Sequence, residues 1–204
     1  MVNQKIELIK AYDRFELNLT DSIIDRMLGI SKENDDDINT KSEYMSEQIF
    51  YEGTPYSYIR AILSVLDLGE EDLIYDLGSG YGRFVIYGAL TRKLHFYGIE
   101  LLKKRVEKAK NSAEELHLNN AFFENNNILT ADYSSGSVFF LFNPFCYSTL
   151  NMVGSNLRQI AEGHPIKIIT WGGASNDYFK KQEWLDEKQS NIKLLNKIQF
   201  FESS

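Results

Sequence analysis

The chain has 204 residues, of which 43% are hydrophobic and 25% are charged, and its formal net charge is −7. This balance is typical of a soluble globular protein of one domain, or at most two small ones, and it excludes collagenous, disordered and coiled-coil classes. No run of about 18 apolar residues is available for a membrane span, and the N-terminus lacks the apolar segment of a signal peptide.

The single cysteine, Cys146, cannot form an intramolecular disulfide or a cysteine metal cluster. We therefore expect a cytoplasmic protein without a membrane partner.

The acidic excess lies in the first third of the chain. Residues 1–70 carry 7 Lys or Arg and 14 Asp or Glu, whereas residues 71–204 carry 15 of each. The acidic run at 33–37 is interpreted as a solvated loop. Nucleic-acid binding depends on cationic contacts to phosphate, so this distribution favours a cationic or neutral partner over a nucleic acid.

Helical patterns dominate residues 1–70. Apolar residues follow helical spacing from Ile6 to Tyr12, and again from Ile23 to Leu28. A further helix is predicted over 44–50. Thr54 and Pro55 are expected to begin the next helix, with the proline at its first position.

From residue 71 onward, short apolar runs alternate with helical patterns, which is typical of a parallel, doubly wound α/β sheet. The runs predict strands over 73–77, 95–100, 120–125, 137–142 and 166–171, and helices over 82–90, 101–116 and 147–161. Residues 183–202 predict two more strands, at least one of them antiparallel at the sheet edge. The predicted fold is a Rossmann-like sheet of about seven strands, mostly parallel, with a helical cap over residues 1–70.

The glycine-rich turn at 76–83, DLGSGYGR, joins the first predicted strand to its helix. Glycines there permit a tight turn and let a ligand approach the backbone. A dinucleotide-binding fingerprint would need a third glycine where this chain has Arg83, and no P-loop pattern is present. Taken alone, the turn is compatible with either a ligand site or a purely structural role.

Glu100 ends the second predicted strand, 22 residues after Gly78. A carboxylate at this place lies beside the glycine turn and can accept hydrogen bonds from both hydroxyls of a ribose. The alternative is an acid that caps the following helix. The combination of turn and carboxylate favours ribose binding.

These two features together resemble the class I S-adenosylmethionine-dependent methyltransferases over about residues 50–202. The resemblance implies S-adenosylmethionine as cofactor, bound by a domain over residues 71–204. It also implies that Asp76 organises the methionine end, and that Leu101 or Leu102 contacts the adenine. The backbone that would pass beneath the cofactor belongs to Gly78, Ser79, Gly80 and Gly82.

The third cofactor position of this family follows the third strand and often carries Asp. Here the tract ENNNILTAD places Asn127 there, or alternatively Asn126, followed by Ile128. An amide oxygen can accept a hydrogen bond from the adenine amino group, and backbone N–H groups can serve the ring nitrogens. An Asn-rich loop that merely turns the chain is the competing interpretation.

The fourth predicted strand ends in FNPF, so Asn143, Pro144 and Phe145 are expected to face the transferable methyl group. Family members that methylate exocyclic nitrogens often carry Asn-Pro-Pro-aromatic at this place. The resemblance therefore implies that these three residues form the catalytic segment, although Asn-Pro is also an ordinary turn.

The segment YEGTPYSYIRAIL, followed by DLGSGYGR and GIE, is similar in layout to the non-SET histone lysine methyltransferases of the disruptor-of-telomeric-silencing type. This similarity implies that Tyr51, Thr54 and Tyr56 close over the methionine end, and it makes Tyr56 a further catalytic candidate. The basic nucleosome-binding extension of that group is missing.

All three histidines, His95, His117 and His164, are predicted at the amino edge of the sheet, away from the turn. This placement argues against a histidine general base, and no His and carboxylate pattern indicates a metal site. The sequence therefore favours catalysis by positioning. Trp171 either lines the pocket or belongs to the core.

We expect a methyltransferase acting on a nitrogen of a protein side chain or a small molecule. Two alternatives remain open: a methyltransferase of RNA or DNA bases, with Arg83, Arg92, Lys103 and Lys104 as the cationic track, or a cofactor-binding module without catalysis. The acceptor and the oligomeric state do not follow from the sequence.

Overall fold

A computed structural model describes residues 2–32, 51–142 and 144–204. The predicted acidic loop at 33–37 and the predicted helix at 44–50 lie outside the described residues, as does Asn143.

Three helices form the described part of the cap: α1 (Val2–Phe15), α2 (Asp21–Leu28) and α3 (Tyr56–Val65). Helix α3 begins one residue later than predicted, so Pro55 is its N-cap and its carbonyl accepts the first helical hydrogen bonds. The backbone N–H of Tyr56 donates to the carboxylate of Asp21, at 3.1 Å. A residue of α2 thus satisfies one of the donors that a helix N-terminus leaves unpaired.

The seven-stranded sheet confirms the predicted fold class. Its strands are β1 (Leu73–Leu77), β2 (His95–Glu100), β3 (Ala121–Asn125), β4 (Val138–Phe142), β5 (Lys167–Trp171), β6 (Leu185–Lys188) and β7 (Ile198–Ser203). They are arranged in the order β3-β2-β1-β4-β5-β7-β6, and β1 to β5 are parallel. Strand β7 runs antiparallel to both β5 and β6, so it lies second from the edge.

Four helices connect the strands: α4 (Arg83–Thr91), α5 (Lys103–Glu115), α6 (Tyr147–Ala161) and α7 (Gly173–Phe179). Helix α7 was not predicted, because GASNDYF begins with small and polar residues that form helices poorly. Tertiary contacts stabilise it instead. Asn176 accepts a hydrogen bond from Thr170 at 2.7 Å, and Tyr178 and Phe179 are buried.

Two hydrophobic clusters cover the two faces of the sheet. One contains α6 and α7 residues such as Leu150 and Phe179. The other combines α4 residues such as Val85 with cap residues such as Ile24 and Ile59. The cap therefore shares its core with the sheet and has no separate one.

The parallel strands fix which residues share an edge. Asp76 and Glu100 lie at the carboxyl ends of β1 and β2, and Phe142 and Trp171 end β4 and β5. At the opposite, amino edge lie the three histidines, as predicted; His95 begins β2, and the ring of His164 is 3.0 Å from the carbonyl oxygen of Gly136.

The contact between Gly88 of α4 and Phe96 of β2 gives a test of core packing. A Cβ at Gly88 would lie 2.3 Å from the fully buried ring of Phe96. Gly88→Ala should destabilise the fold by about 1–3 kcal/mol through overpacking, which exceeds the roughly 1 kcal/mol that alanine gains over glycine in a helix. Urea unfolding measures the difference. The matched control is Gly173→Ala in α7, where no atom lies within 4 Å. Equal stability of the two variants would contradict the packing argument.

Candidate active site

The turn between β1 and α4 has a backbone that side chains other than glycine rarely adopt. Gly78, Gly80 and Gly82 have φ values of 90°, 55° and 79°. A Cβ at Gly78 would lie 2.5 Å from Pro144, and one at Gly80 would lie 2.5 Å from the ring of Tyr51. Neighbouring groups therefore approach the turn as closely as its backbone allows.

Glu100 is held at this turn by backbone donors. One carboxylate oxygen accepts the N–H of Gly80 at 2.8 Å, and the other accepts the N–H of Leu102 at 2.9 Å. A guanidinium nitrogen of Arg105 lies 4.0 Å away, and the residue is 7% exposed. Each oxygen has a second lone pair, so the oriented carboxylate retains capacity to accept further hydrogen bonds.

Asp76, on the neighbouring strand, is 5% exposed. Within residues 2–32, 51–142 and 144–204 its carboxylate has neither a hydrogen-bond donor nor a cationic partner. Burial, and next the negative charge of Glu100, raises the pKa of Asp76 well above its ordinary value. A buried carboxylate without a counter-charge is an arrangement that a cationic ligand would stabilise.

The turn contains a second buried polar group without a partner. The Ser79 hydroxyl accepts or donates no hydrogen bond among the described residues. By contrast, the backbone N–H groups of Gly78 and Ser79 both donate to the carbonyl of Ile99. These bonds fix the turn against β2.

The segment after β3 lies beside Glu100. The Asn126 N–H donates to the Glu100 carbonyl at 3.2 Å, and the Asn126 side chain is engaged by Glu124 and Thr130. The Asn127 amide oxygen accepts the Leu129 N–H at 3.0 Å.

Two backbone donors remain in this segment. The N–H groups of Asn127 and Ile128 donate to no described backbone or side-chain acceptor. Next to them, the carbonyl of Leu101 accepts a hydrogen bond from the amide of Asn125 at 2.8 Å. The two donors thus lie at the edge where the resemblance expects the adenine.

Residues 51–55, here called the strap, fold over the turn from the cap side. The Tyr51 ring packs on Gly80 and meets Tyr81 edge to face, with centroids 4.8 Å apart. Burial raises the pKa of the Tyr51 hydroxyl well above its ordinary range, so the hydroxyl is neutral. Thr54 is buried, and its carbonyl accepts a hydrogen bond from Arg83 at 3.0 Å. The structure therefore brings Tyr51 and Thr54 to the turn.

Tyr56 does not lie where the sequence placed it. Its side chain is 0% exposed, and its hydroxyl donates to the carboxylate of Asp25 at 2.7 Å. Burial, followed by the charge of Asp25, raises its pKa. Tyr56 thus belongs to the contact between the cap and α4, because its hydroxyl is needed to satisfy a buried carboxylate.

Phe145 also differs from expectation. Its ring is 8% exposed and packs with Ile128 and Leu77 in the hydrophobic cluster beneath the turn, so it offers no open aromatic face. Pro144, in contrast, lies against Gly78. The described neighbours of Asn143 therefore flank the glycine turn.

An aromatic stack at the same edge was only partly anticipated. Trp171 lies between Tyr58 of α3 and Phe142 of β4, with ring centroids 4.4 and 4.5 Å apart and partly parallel rings. All three rings are half-buried. Trp171 thus combines both predicted roles, whereas Tyr58 was missed; its only sequence signal is its place in the first turn after Pro55.

No group of three or more His, Cys, Asp or Glu side chains in the described segments could hold a metal ion. None of the helices seen in those segments is long and apolar enough to cross a membrane.

The buried charge of Asp76 predicts a pH-dependent cost of folding. Because the folded pKa lies above the unfolded value, the native state binds the extra proton, and stability falls as pH rises from 3.8 through the folded pKa. Asp76→Asn removes this ionisation. Its stability relative to the parent protein, measured by urea unfolding without ligand, should therefore increase with pH. A constant difference from about pH 5 to about pH 8 would show that the carboxylate is not destabilised by burial.

Comparisons with known proteins agree with this geometry. The model of the family Histone methylation protein DOT1 matches residues 32–143, more than half of the chain. No curated protein matches the sequence significantly.

Solved structures share the fold at low sequence identity. An RNA methyltransferase from Salinibacter ruber, in complex with S-adenosyl-L-homocysteine, is 24% identical with a TM-score of 0.55, covering 74% of this chain and 92% of its own. The human methyltransferase 10 domain containing protein is 12% identical with a TM-score of 0.58, covering 98% and 97%. A tRNA (uracil-54, C5)-methyltransferase from Pyrococcus abyssi is 16% identical with a TM-score of 0.56, covering 76% of this chain but 40% of its own.

Family match, sheet order and glycine turn thus lead to the same assignment. The chain belongs to the Histone methylation protein DOT1 family and is a class I S-adenosylmethionine-dependent methyltransferase.

Proposed function

We propose that the enzyme methylates an amine nitrogen of a protein side chain or a small molecule. The observation that carries this proposal is the half-buried stack of Tyr58, Trp171 and Phe142 beside the strand-four turn. Aromatic faces attract cationic groups, and their bulk excludes water from the space they border. Such a surface suits the carbon chain and amine head of a lysine-like acceptor.

The turn residues fit S-adenosylmethionine, which supplies a methyl group on a positively charged sulfur when bound. The unpartnered carboxylate of Asp76 would pair with the ammonium of the methionine end. The free lone pairs of Glu100 would accept the ribose hydroxyls. The adenine would take the N–H groups of Asn127 and Ile128 and the side chain of Leu101. Tyr51 and Thr54 would border the site from the strap.

The residues of the chain act by positioning. The described loops at the carboxyl edge contain no histidine, so the acceptor must reach the site as a neutral amine. We assign to the Asn143 amide oxygen the role of accepting an N–H of that amine, which aims its lone pair at the methyl group. A nitrogen–carbon bond forms as the sulfur–carbon bond breaks, and the surplus proton leaves to water.

Charge supports an amine over a nucleic acid. Arg83 and Arg92, two candidates for a cationic track, are paired with Asp25 at 2.5 Å and with Asp13 at 2.9 Å. They have no charge to spare for phosphate. The name of the matched family, a histone methylation protein, points to a protein acceptor. The FNPF segment and the RNA-modifying structural neighbours keep base methylation as the alternative that the experiment must separate.

The ribose assignment predicts the behaviour of Glu100→Gln. The variant keeps one acceptor oxygen but loses the negative charge, so cofactor binding should weaken by about 1.5–3 kcal/mol, roughly 10-fold to 150-fold in Kd. Calorimetric titration with S-adenosyl-L-homocysteine measures this. Glu124→Gln, on the exposed side chain next to Asn126, is the control and should bind normally. An unchanged Kd in Glu100→Gln would remove the assignment.

The acceptor is tested with radiolabelled S-adenosylmethionine and two probes, core histones and total RNA. We expect label in the protein fraction, and Trp171→Ala should reduce its transfer by about tenfold, the scale of a desolvated cation–π contact. Phe122→Ala is the control, since Phe122 is an exposed stacked aromatic on β3. Label in RNA instead would support base methylation, and equal loss in both variants would contradict a role for the stack.

A further inference from the structure

Two carboxylates of the cap form buried contacts with α4, one at each end of that helix. Asp13 of α1 accepts hydrogen bonds from the hydroxyl of Tyr87 and from Arg92, both at 2.9 Å. Asp25 of α2 accepts from the hydroxyl of Tyr56 at 2.7 Å and from Arg83. Each carboxylate thus binds one tyrosine and one arginine, about 13 Å apart along the helix axis.

The Asp25 contact differs because its arginine reaches the cofactor side. Two nitrogens of Arg83 donate to the two oxygens of Asp25, at 3.0 and 2.5 Å, which fixes the plane of the guanidinium. The third nitrogen donates to the carbonyl of Thr54 in the strap at 3.0 Å. Arg83 is also the first residue of α4, directly after Gly82.

The strap fits closely around this guanidinium. A Cβ at Gly53 would lie 2.6 Å from the guanidinium carbon of Arg83 and 2.7 Å from the Tyr51 hydroxyl. Since the Tyr51 ring packs on Gly80, the position of the strap sets what lies above the glycine turn. A shift of Arg83 would therefore move Tyr51 relative to the turn.

We infer that Asp25 is a positioning residue for cofactor binding: through Arg83 it holds the strap over the glycine turn, although it lies in the cap and touches no part of the turn itself. This inference rests on the proposed cofactor site. A strap held in its binding conformation lowers the entropy lost on binding, so releasing it weakens affinity. The Asp13 contact, at the far end of α4, holds no such segment.

The test compares Asp25→Asn with Asp13→Asn, the same change at the matched carboxylate. Asp25→Asn should raise the Kd for S-adenosyl-L-homocysteine by about tenfold, and raise the KM for S-adenosylmethionine alike while kcat changes little. Asp13→Asn should lower the midpoint of thermal unfolding but leave Kd unchanged. Equal effects of both variants on Kd would overturn the inference.

Two further variants separate positioning from general loosening of the cap. Gly53→Ala disturbs the contact between strap and guanidinium while retaining the ion pair, so it should raise Kd with a near-normal unfolding midpoint, even if Asp25→Asn fails to fold. Tyr56→Phe removes only the hydroxyl bonded to Asp25 and should lower stability without changing Kd. Normal affinity in Gly53→Ala would overturn the inference. If Glu100→Gln binds normally as well, the proposed cofactor site fails; if only Glu100→Gln is weakened, that site stands without the role of Asp25.

Discussion

Two carboxylates buried side by side, on the ends of neighbouring parallel strands, are the constraint on which the rest of the site depends. Glu100 is compensated by two backbone N–H groups and by Arg105 nearby, whereas Asp76 has no partner among the described residues. An uncompensated buried charge costs several kcal/mol, a large part of the stability of a domain. The glycine turn belongs to the same arrangement, because a backbone free of side chains lets the N–H of Gly80 reach Glu100. A ligand with a cationic group and neighbouring hydroxyls answers both carboxylates at once.

The cap contributes to this site through packing and ion pairs together. Its apolar residues share a core with α4, and its aspartates hold both ends of that helix through Arg83 and Arg92. These pairs also change the meaning of the charge asymmetry. Asp13 and Asp25 belong to the acidic excess of residues 1–70, yet they neutralise arginines of the sheet domain inside the protein. That part of the excess is structural, and it does not act on an acceptor.

The acceptor side is organised by the ends of β4 and β5. Parallel neighbours place Phe142 and Trp171 in adjacent positions, and α3 of the cap adds Tyr58 to complete the stack. The cap therefore borders both halves of the proposed site: the strap lies over the glycine turn, and Tyr58 lies beside the strand-four turn. Rings and backbone donors can position an amine, whereas the histidines at the opposite edge cannot act on it.

The sequence by itself determined the sheet, the glycine turn and the carboxylates at the ends of β1 and β2. These features depend on local periodicity, on the backbone freedom of glycine and on strand ends that always meet at one edge. Only the tertiary structure decided the roles of Tyr56, Phe145, Tyr58 and Arg83, because each role depends on a partner distant in the chain. Tyr56 reaches Asp25 across 31 positions, and Arg83 reaches it across 58. No local pattern encodes such a pairing, since it arises from how the cap packs on α4.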